Sequence, residues 1–248
     1  YYRASFDMHR ATSGPEHPVL ANIMNDIGLL MYDRGEYRKA DQELDESLVF
    51  QRSSANGVDR NPMSVAMVRR AQVLVVLGRL AEADTLASRG VAISRRLHDD
   101  RGMWMAGGLM TLADVRLHEG AVAEAESLFS DSLARMRSLE QGGVARPRDS
   151  GALLGLCRCR LAQGDVAGAE KYAREALGIE KKFRRPGHPD TARAEIALAE
   201  VLIKKGQAPG ARELLQDAVA ALSPLVQPGQ IDLTTARQLL AGHAAGMR

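Results

Sequence analysis

A chain of 248 residues with 33 Lys and Arg against 31 Asp and Glu carries a formal net charge of +2, too small a field to recruit nucleic acid or an anionic membrane surface. With 45% apolar but only 4% aromatic residues, mostly Ala, Leu and Val, the composition suits thin helix-on-helix layers better than one thick core. No run of 18 apolar residues and no charged-then-apolar leader occurs, so the expectation is a soluble cytoplasmic chain with no membrane partner.

Residues 1 to 13 read as the second helix of a helical pair, because Ala4 lies 43 positions before Ser47, which ends the small-residue series of the following pair. The chain begins at Tyr1, inside such a unit, which predicts a segment of a longer protein. GPEHP at 14 to 18 is a helix breaker that places Pro18 where a missing N–H costs nothing. Leu20, Ile23, Met24, Ile27 and Met31 then form an i, i+3, i+4 stripe that predicts a helix to Arg34, ended by Gly35. A second helix runs from Tyr37 to about Ser53, with Tyr37, Ala40, Leu44, Ser47 and Leu48 on one face.

The same pair is then predicted four more times. Its first helices start near Pro62, Met103, Arg148 and Thr191; its second helices span Leu80 to Leu97, Val122 to Leu139, Val166 to Phe183 and Pro209 to Leu222. A last helix, Asp232 to about His243, opens a sixth unit in which Gly242 keeps the register. Strand signals, meaning alternating β-branched residues between hairpin turns, are missing.

The period is carried by small residues. Gly28, Gly35 and Ala40 recur as Ala71, Gly78, Ala83; Ala113, Gly120, Ala125; Cys157, Gly164, Ala169; and Ala199, Gly206, Ala211. Each triplet has the same spacing, and the turn glycines stand 43, 42, 44 and 42 residues apart. Such a period predicts stacked helical hairpins, each resting mainly on its neighbours. Small side chains in both helices let the two backbones approach, and Leu48, Val91, Leu133, Leu177 and Val219 seal each layer against the next. One solenoid over 1–248 is expected, with repeats at about 17–60, 61–101, 102–146, 147–186 and 187–228 and half-units at 1–13 and 229–248.

A small residue, a turn glycine, an aromatic or aliphatic residue two positions later and then an alanine together resemble the tetratricopeptide repeat (TPR). The period of 42 to 44 residues, with GPEHPVLANIMNDIG at 14 to 28 and GHPDTA at 187 to 192, is similar to the long variety typified by kinesin light chain and common in bacterial signalling proteins. The resemblance implies an all-α, right-handed superhelix of antiparallel helix pairs. Arg70, Arg116 and Arg160 stand where an apolar or aromatic residue is usual, which predicts slightly rotated or looser first helices.

No catalytic constellation is present. The histidines at 9, 17, 98, 118, 188 and 243 are scattered, with no pair at i, i+4 and no zinc-type arrangement with glutamate. His17 and His188, each before a proline, read as linker residues ahead of a helix. Cys157 and Cys159 diverge on one helix and cannot bridge each other, so reduced, buried thiols are expected. The basic doublets Arg95–Arg96 and Lys204–Lys205 and the stretch KKFRR at 181 to 185 fall near helix C-termini, where cations complement the dipole. No cofactor, metal or nucleic-acid partner is expected, and no enzymatic activity.

The family resemblance implies a protein or peptide ligand on a concave stripe of the first helices. Asn22, Asn25, Asp26, Arg69, Gln72, Met110, Asp114, Arg158 and Glu200 fall on that stripe. The column Gln72, Asp114, Arg158, Glu200 reads either as a ladder for a peptide backbone or as pairing between neighbouring repeats, Asp114 with Arg158 for instance. The functional expectation is a non-enzymatic binding scaffold within a larger bacterial protein. The alternatives are a regulatory or sensor arm of a Ser/Thr kinase or protease, and self-association through the terminal half-units.

Overall fold

The computed structural model describes residues 1–15, 17–54, 61–98, 103–138 and 145–245, with the side chains at 54, 61, 98, 103, 104 and 243–245 excepted. The described residues form twelve α-helices and no strand: α1 (Tyr2–Ser13), α2 (Val19–Asp33), α3 (Tyr37–Ser54), α4 (Asn61–Val76), α5 (Leu80–His98), α6 (Met103–His118), α7 (Val122–Ser138), α8 (Ser150–Ala162), α9 (Val166–Phe183), α10 (Pro189–Lys204), α11 (Ala208–Leu222) and α12 (Ile231–Ala245). This is the all-α, right-handed solenoid class of paired antiparallel helices. The repeat boundaries expected at 60/61 and 101/102 and the helix end at Leu139 fall outside the described residues.

Two compact units divide the chain, Tyr1–His118 and Glu119–Arg248. In the first, α1 packs on α2, α2 on α3, α4 on both α2 and α3, and α6 on both α4 and α5. In the second, α7 packs on α8, α8 on α9, α10 on both, and α12 on α10 and α11. The even-numbered helices are thus the first members of successive pairs, and within each unit they contact one another.

Each hairpin bend is made by the same chemistry. Gly35 and Gly78 adopt φ of 81° and 75°, the left-handed region that a side chain disfavours. The residue after each then donates back five positions, Glu36 N to Met31 O at 2.8 Å and Arg79 N to Leu74 O at 2.9 Å, and so satisfies carbonyls the helix end leaves open. Asp165 and Gln207 repeat that bond after α8 and α10.

The recurring small residues are the centre of the packing. Ala40, Ala71, Ala83, Ala113, Ala125, Cys157, Ala169, Ala199 and Ala211 are all fully buried. Their partners are bulky side chains of the adjacent helix. A Cβ on Gly28 would lie 2.6 Å from Leu44 Cγ, and one on Gly155 would lie 2.3 Å from Phe129 Cε1, both inside contact distance.

Several expectations shift in detail. A 3-10 turn, Pro147–Asp149, precedes α8, because the buried Asp149 carboxylate accepts from Arg146 N–H at 3.2 Å and tightens the start. Helix α10 begins at Pro189 rather than Thr191, with His188 as its cap. At Gly242 an added Cβ would meet nothing within 4 Å, so packing among the described residues does not demand a small side chain there.

Candidate functional site

In the first unit α2, α4 and α6 carry the stripe. Gln72 and Asp114 each directly follow the buried small residue of their helix, and Asp26 and Arg69 each sit two positions before it. Asp26, Arg69, Gln72, Met110 and Asp114 are half-buried and Asn22 is exposed, while Ala71, Val73, Leu74, Ala113 and Val115 of the same helices are buried. Asp26 and Arg69 pair across neighbouring repeats, Nη1 to Oδ1 at 2.9 Å.

Asn25 is turned inward and is only 2% exposed. Its Oδ1 accepts from Ser47 Oγ at 2.8 Å, its Nδ2 donates to Pro62 O at 3.0 Å, and Gln51 Nε2 donates to Ser47 Oγ at 2.9 Å. The amide therefore ties α2 to α3 and to the start of α4, a consequence of its placement one residue off the exposed register.

In the second unit α8 and α10 carry Arg158 and Glu200, both half-buried and each next to its small residue, Cys157 and Ala199. The Arg158 guanidinium stands over the Phe129 ring, 5.8 Å from its centroid. Burial raises the Glu200 carboxyl above the usual carboxylate range, against the opposing pull of Arg158 and Lys204. Burial likewise pushes the Cys157 thiol up to about 12, with the Glu200 charge adding to the effect. Cys157 and Cys159 are free and buried.

A second ladder escaped the sequence reading. The residue following each buried alanine of the odd-numbered helices is acidic at 41, 84, 126 and 170, and each acid holds a cation of the next even-numbered helix or its cap. Asp41 takes Arg70 at 2.7 Å, Asp84 takes Arg116 at 2.8 Å, Glu126 takes Arg160 at 2.5 Å and Glu170 takes Lys205 at 2.6 Å. Arg70 also reaches Asp45, and Arg79 bridges Asp41 and Glu82. The three arginines expected to loosen their helices are thus clips between repeats, and their neighbours Ala71, Val115 and Cys159 stay fully buried. An acid six residues after each of the first four turn glycines was the signal in the sequence. An open cleft lies beside this network, lined by Arg70, Ala81, Glu82, Thr85 and Leu86.

The histidines before prolines cap helices. His188 Nδ1 accepts from Asp190 N–H at 3.2 Å and His17 Nδ1 from Val19 N–H at 3.3 Å. Of the basic stretch at 181 to 185, Lys181 meets Glu195 at 3.7 Å, Lys182 stands over Phe183, and Arg184 meets Glu180 at 3.4 Å and Asp190 at 3.2 Å. Among the described residues no group of three or more His, Cys, Asp or Glu is placed to hold a metal ion, and no helix is long and apolar enough to cross a membrane.

Stacked antiparallel helix pairs with a polar stripe on one helix of each pair define an α-solenoid of helical-hairpin repeats. Residues 149–223 match the tetratricopeptide repeat family model, a match confined to the second unit. Comparison with curated proteins returns no match. Among solved structures the chain is similar to a Rap protein complexed with Competence and Sporulation Factor, at 14% identity and a TM-score of 0.70, covering 97% of this chain and 71% of that one. It is similar to NprR in complex with its cognate peptide NprX, at 16% identity and a TM-score of 0.68 over 89% of this chain and 59% of that one. It also resembles the nearly identical TPR-like repeats of a Podosopora anserina kinesin-light-chain-type protein, at 21% identity and a TM-score of 0.56 over 84% and 97%. At these identities the likeness concerns the fold.

Proposed function

We propose that the protein is a non-enzymatic scaffold of the long, kinesin-light-chain-like TPR variety that binds a peptide or protein segment along the stripe of its even-numbered helices. The observation that carries this reading is the register. In four of these helices the residue after the buried small side chain is polar and half-exposed, Gln72 and Asp114 in the first unit and Arg158 and Glu200 in the second. A polar row at repeat spacing offers hydrogen bonds to an extended chain. Two of the structural neighbours are complexes, one with Competence and Sporulation Factor and one with a cognate peptide, which supports the same use of this fold.

Selection from a random peptide library tests it, with the wild type compared to Arg69→Glu in the first unit and Arg158→Glu in the second. The expected result is enrichment of peptides by the wild type and loss of those peptides in at least one variant that retains its helicity by circular dichroism. Equal retention by both helical variants would place binding elsewhere.

A further inference from the structure

We propose that the outward face of α9 is a second docking surface, separate from the stripe of the even-numbered helices, and that it receives an acidic α-helix of a partner protein.

The first support is a row of charge. Helix α9 packs on α8 and α10, and the face turned away from both exposes Ala167, Lys171, Arg174, Gly178, Lys181 and Lys182. Steps of three and four residues keep these positions on one side of the helix, so the cations line about 16 Å of its length. The acids of the same helix are buried or half-buried and already held: Glu175 meets Arg137 at 2.5 Å, Glu180 meets Arg184 at 3.4 Å, and Glu170 meets Lys205 at 2.6 Å and Arg174 at 2.7 Å. Among the described residues no acid pairs with Lys171 or Lys182. Arg174 and Lys181 are 58% and 56% exposed, and ion pairs so open to solvent exchange partners readily; Glu170 keeps Lys205 when Arg174 turns outward.

The second support comes from the other odd-numbered helices. At the positions of Lys171 and Arg174, α3 carries Gln42 and Asp45, α5 Thr85 and Ser88, α7 Ser127 and Ser130, and α11 Glu213 and Gln216, all exposed. Packing of the repeat therefore asks for no cation at either place. Nor does the helix dipole, which favours Lys181 and Lys182 at the C-terminus but offers nothing to Lys171 and Arg174 in the first half of the helix.

The third support is shape. Gly178 lies in the middle of the row, and among the described residues a Cβ added there would meet nothing within 4 Å. Neither α8 nor α10 requires the glycine, and a helix interior is less stable with glycine than with alanine. It leaves a gap, one turn from Arg174 and one from Lys182, where a second helix backbone can come close while the cations on either side reach its carboxylates. The positive strip is one helix wide, and a net charge of +2 gives no wider field to hold a lipid surface or a nucleic acid. A partner helix with carboxylates at three- and four-residue spacing matches it in width, period and sign.

The experiment uses the full chain and two rhodamine-labelled, alanine-rich helical peptides of equal glutamate content, one with its glutamates along one face and one with them spread around the helix. Fluorescence anisotropy is expected to show tighter binding of the one-faced peptide, with an affinity that falls as salt rises. Lys171→Glu/Lys182→Glu is expected to weaken it about tenfold, because reversal at two exposed contacts turns attraction into repulsion. Gly178→Leu, which favours the helix and closes the gap, is expected to weaken it severalfold with helicity kept. Equal binding of the two peptides, or wild-type affinity in either variant, overturns the proposal. So does tighter binding of single-stranded DNA or of phosphatidylserine vesicles than of the one-faced peptide. The double variant is expected to retain the library peptides that Arg69→Glu or Arg158→Glu lose; losing both kinds of ligand together would show a single surface and overturn the proposal. If the library selection fails while the one-faced helix still binds, the stripe falls and this surface stands.

Discussion

Arg160 of α8 reaches Glu126 of α7, Nη2 to Oε1 at 2.5 Å, and Gln163 Nε2 completes the contact to the other carboxylate oxygen at 2.7 Å. Both charged groups are partly exposed, so the pair stabilises the interface modestly. A double-mutant cycle with Arg160→Ala and Glu126→Ala is expected to give a coupling of about 0.2–1 kcal/mol that shrinks in 0.5 M salt. A coupling unchanged by salt would mean that packing of the arginine stem carries the contact.

Asn25→Ala leaves the Ser47 hydroxyl and the Pro62 carbonyl short of a partner in a buried place. Urea unfolding is expected to show a loss of about 1–3 kcal/mol. Asn22→Ala, one turn away and exposed, is expected to be neutral within about 0.5 kcal/mol.

Gly155 and Phe129 share one space. Gly155→Ala is expected to lower stability by about 1–3 kcal/mol, because the added methyl meets the ring. Phe129→Leu also destabilises on its own by leaving a void. Combined, the two changes are expected to cost less than their separate costs added together, since the smaller side chain admits the methyl; additivity would show that the ring moves aside freely.

The buried carboxylates set a pH dependence whose sign follows from their shifts. Burial raises Glu43 and Glu195, so the folded state binds protons at them more strongly than the unfolded chain does. Stability from these two groups is full below the ordinary glutamate pKa and is lost as pH rises through their folded values. Glu170 runs the other way: hydrogen bonds from Lys205 and Arg174 lower it, so its contribution is present above the ordinary pKa and is lost as pH falls through the folded value. Glu195→Gln is therefore expected to raise the Tm at pH 7.5 and to leave it unchanged at pH 4. Glu170→Gln is expected to lower it at pH 7.5 only.

Cys157 lies in the helix interface as a fully buried thiol with its pKa pushed up to about 12. Iodoacetamide at pH 8 is expected to leave the native chain unmodified over hours and to label both cysteines in 6 M urea. Rapid labelling of the native chain would show that this interface opens locally.

The fold was legible because its signals are local. Gly35, Gly78, Gly120, Gly164 and Gly206 all bend the chain with φ between 73° and 81°, and the alanines around them are buried as their period required. The helix boundaries followed from the same punctuation, except where a side chain bonded to a nearby backbone N–H altered the start, as His188 and Asp149 do. The half-exposed register of Gln72, Asp114, Arg158 and Glu200 was also legible, since a polar residue beside a packing small residue can be read from spacing alone.

What the sequence determined by itself is the repeating unit, because glycine at a left-handed turn and alanine at a close crossing are backbone and steric requirements met within one hairpin. Only the tertiary structure decided which polar residues serve the chain's own stacking. Asn25 and Asp26 are neighbours in sequence, yet a rotation of about 100° per residue sends one inward to Ser47 and Pro62 and leaves the other half-exposed beside Arg69. Arg70, Arg116 and Arg160 looked misplaced until the preceding repeat supplied an acid for each. Charge pairing acts through space between successive repeats, and that distance is not written in any single one of them.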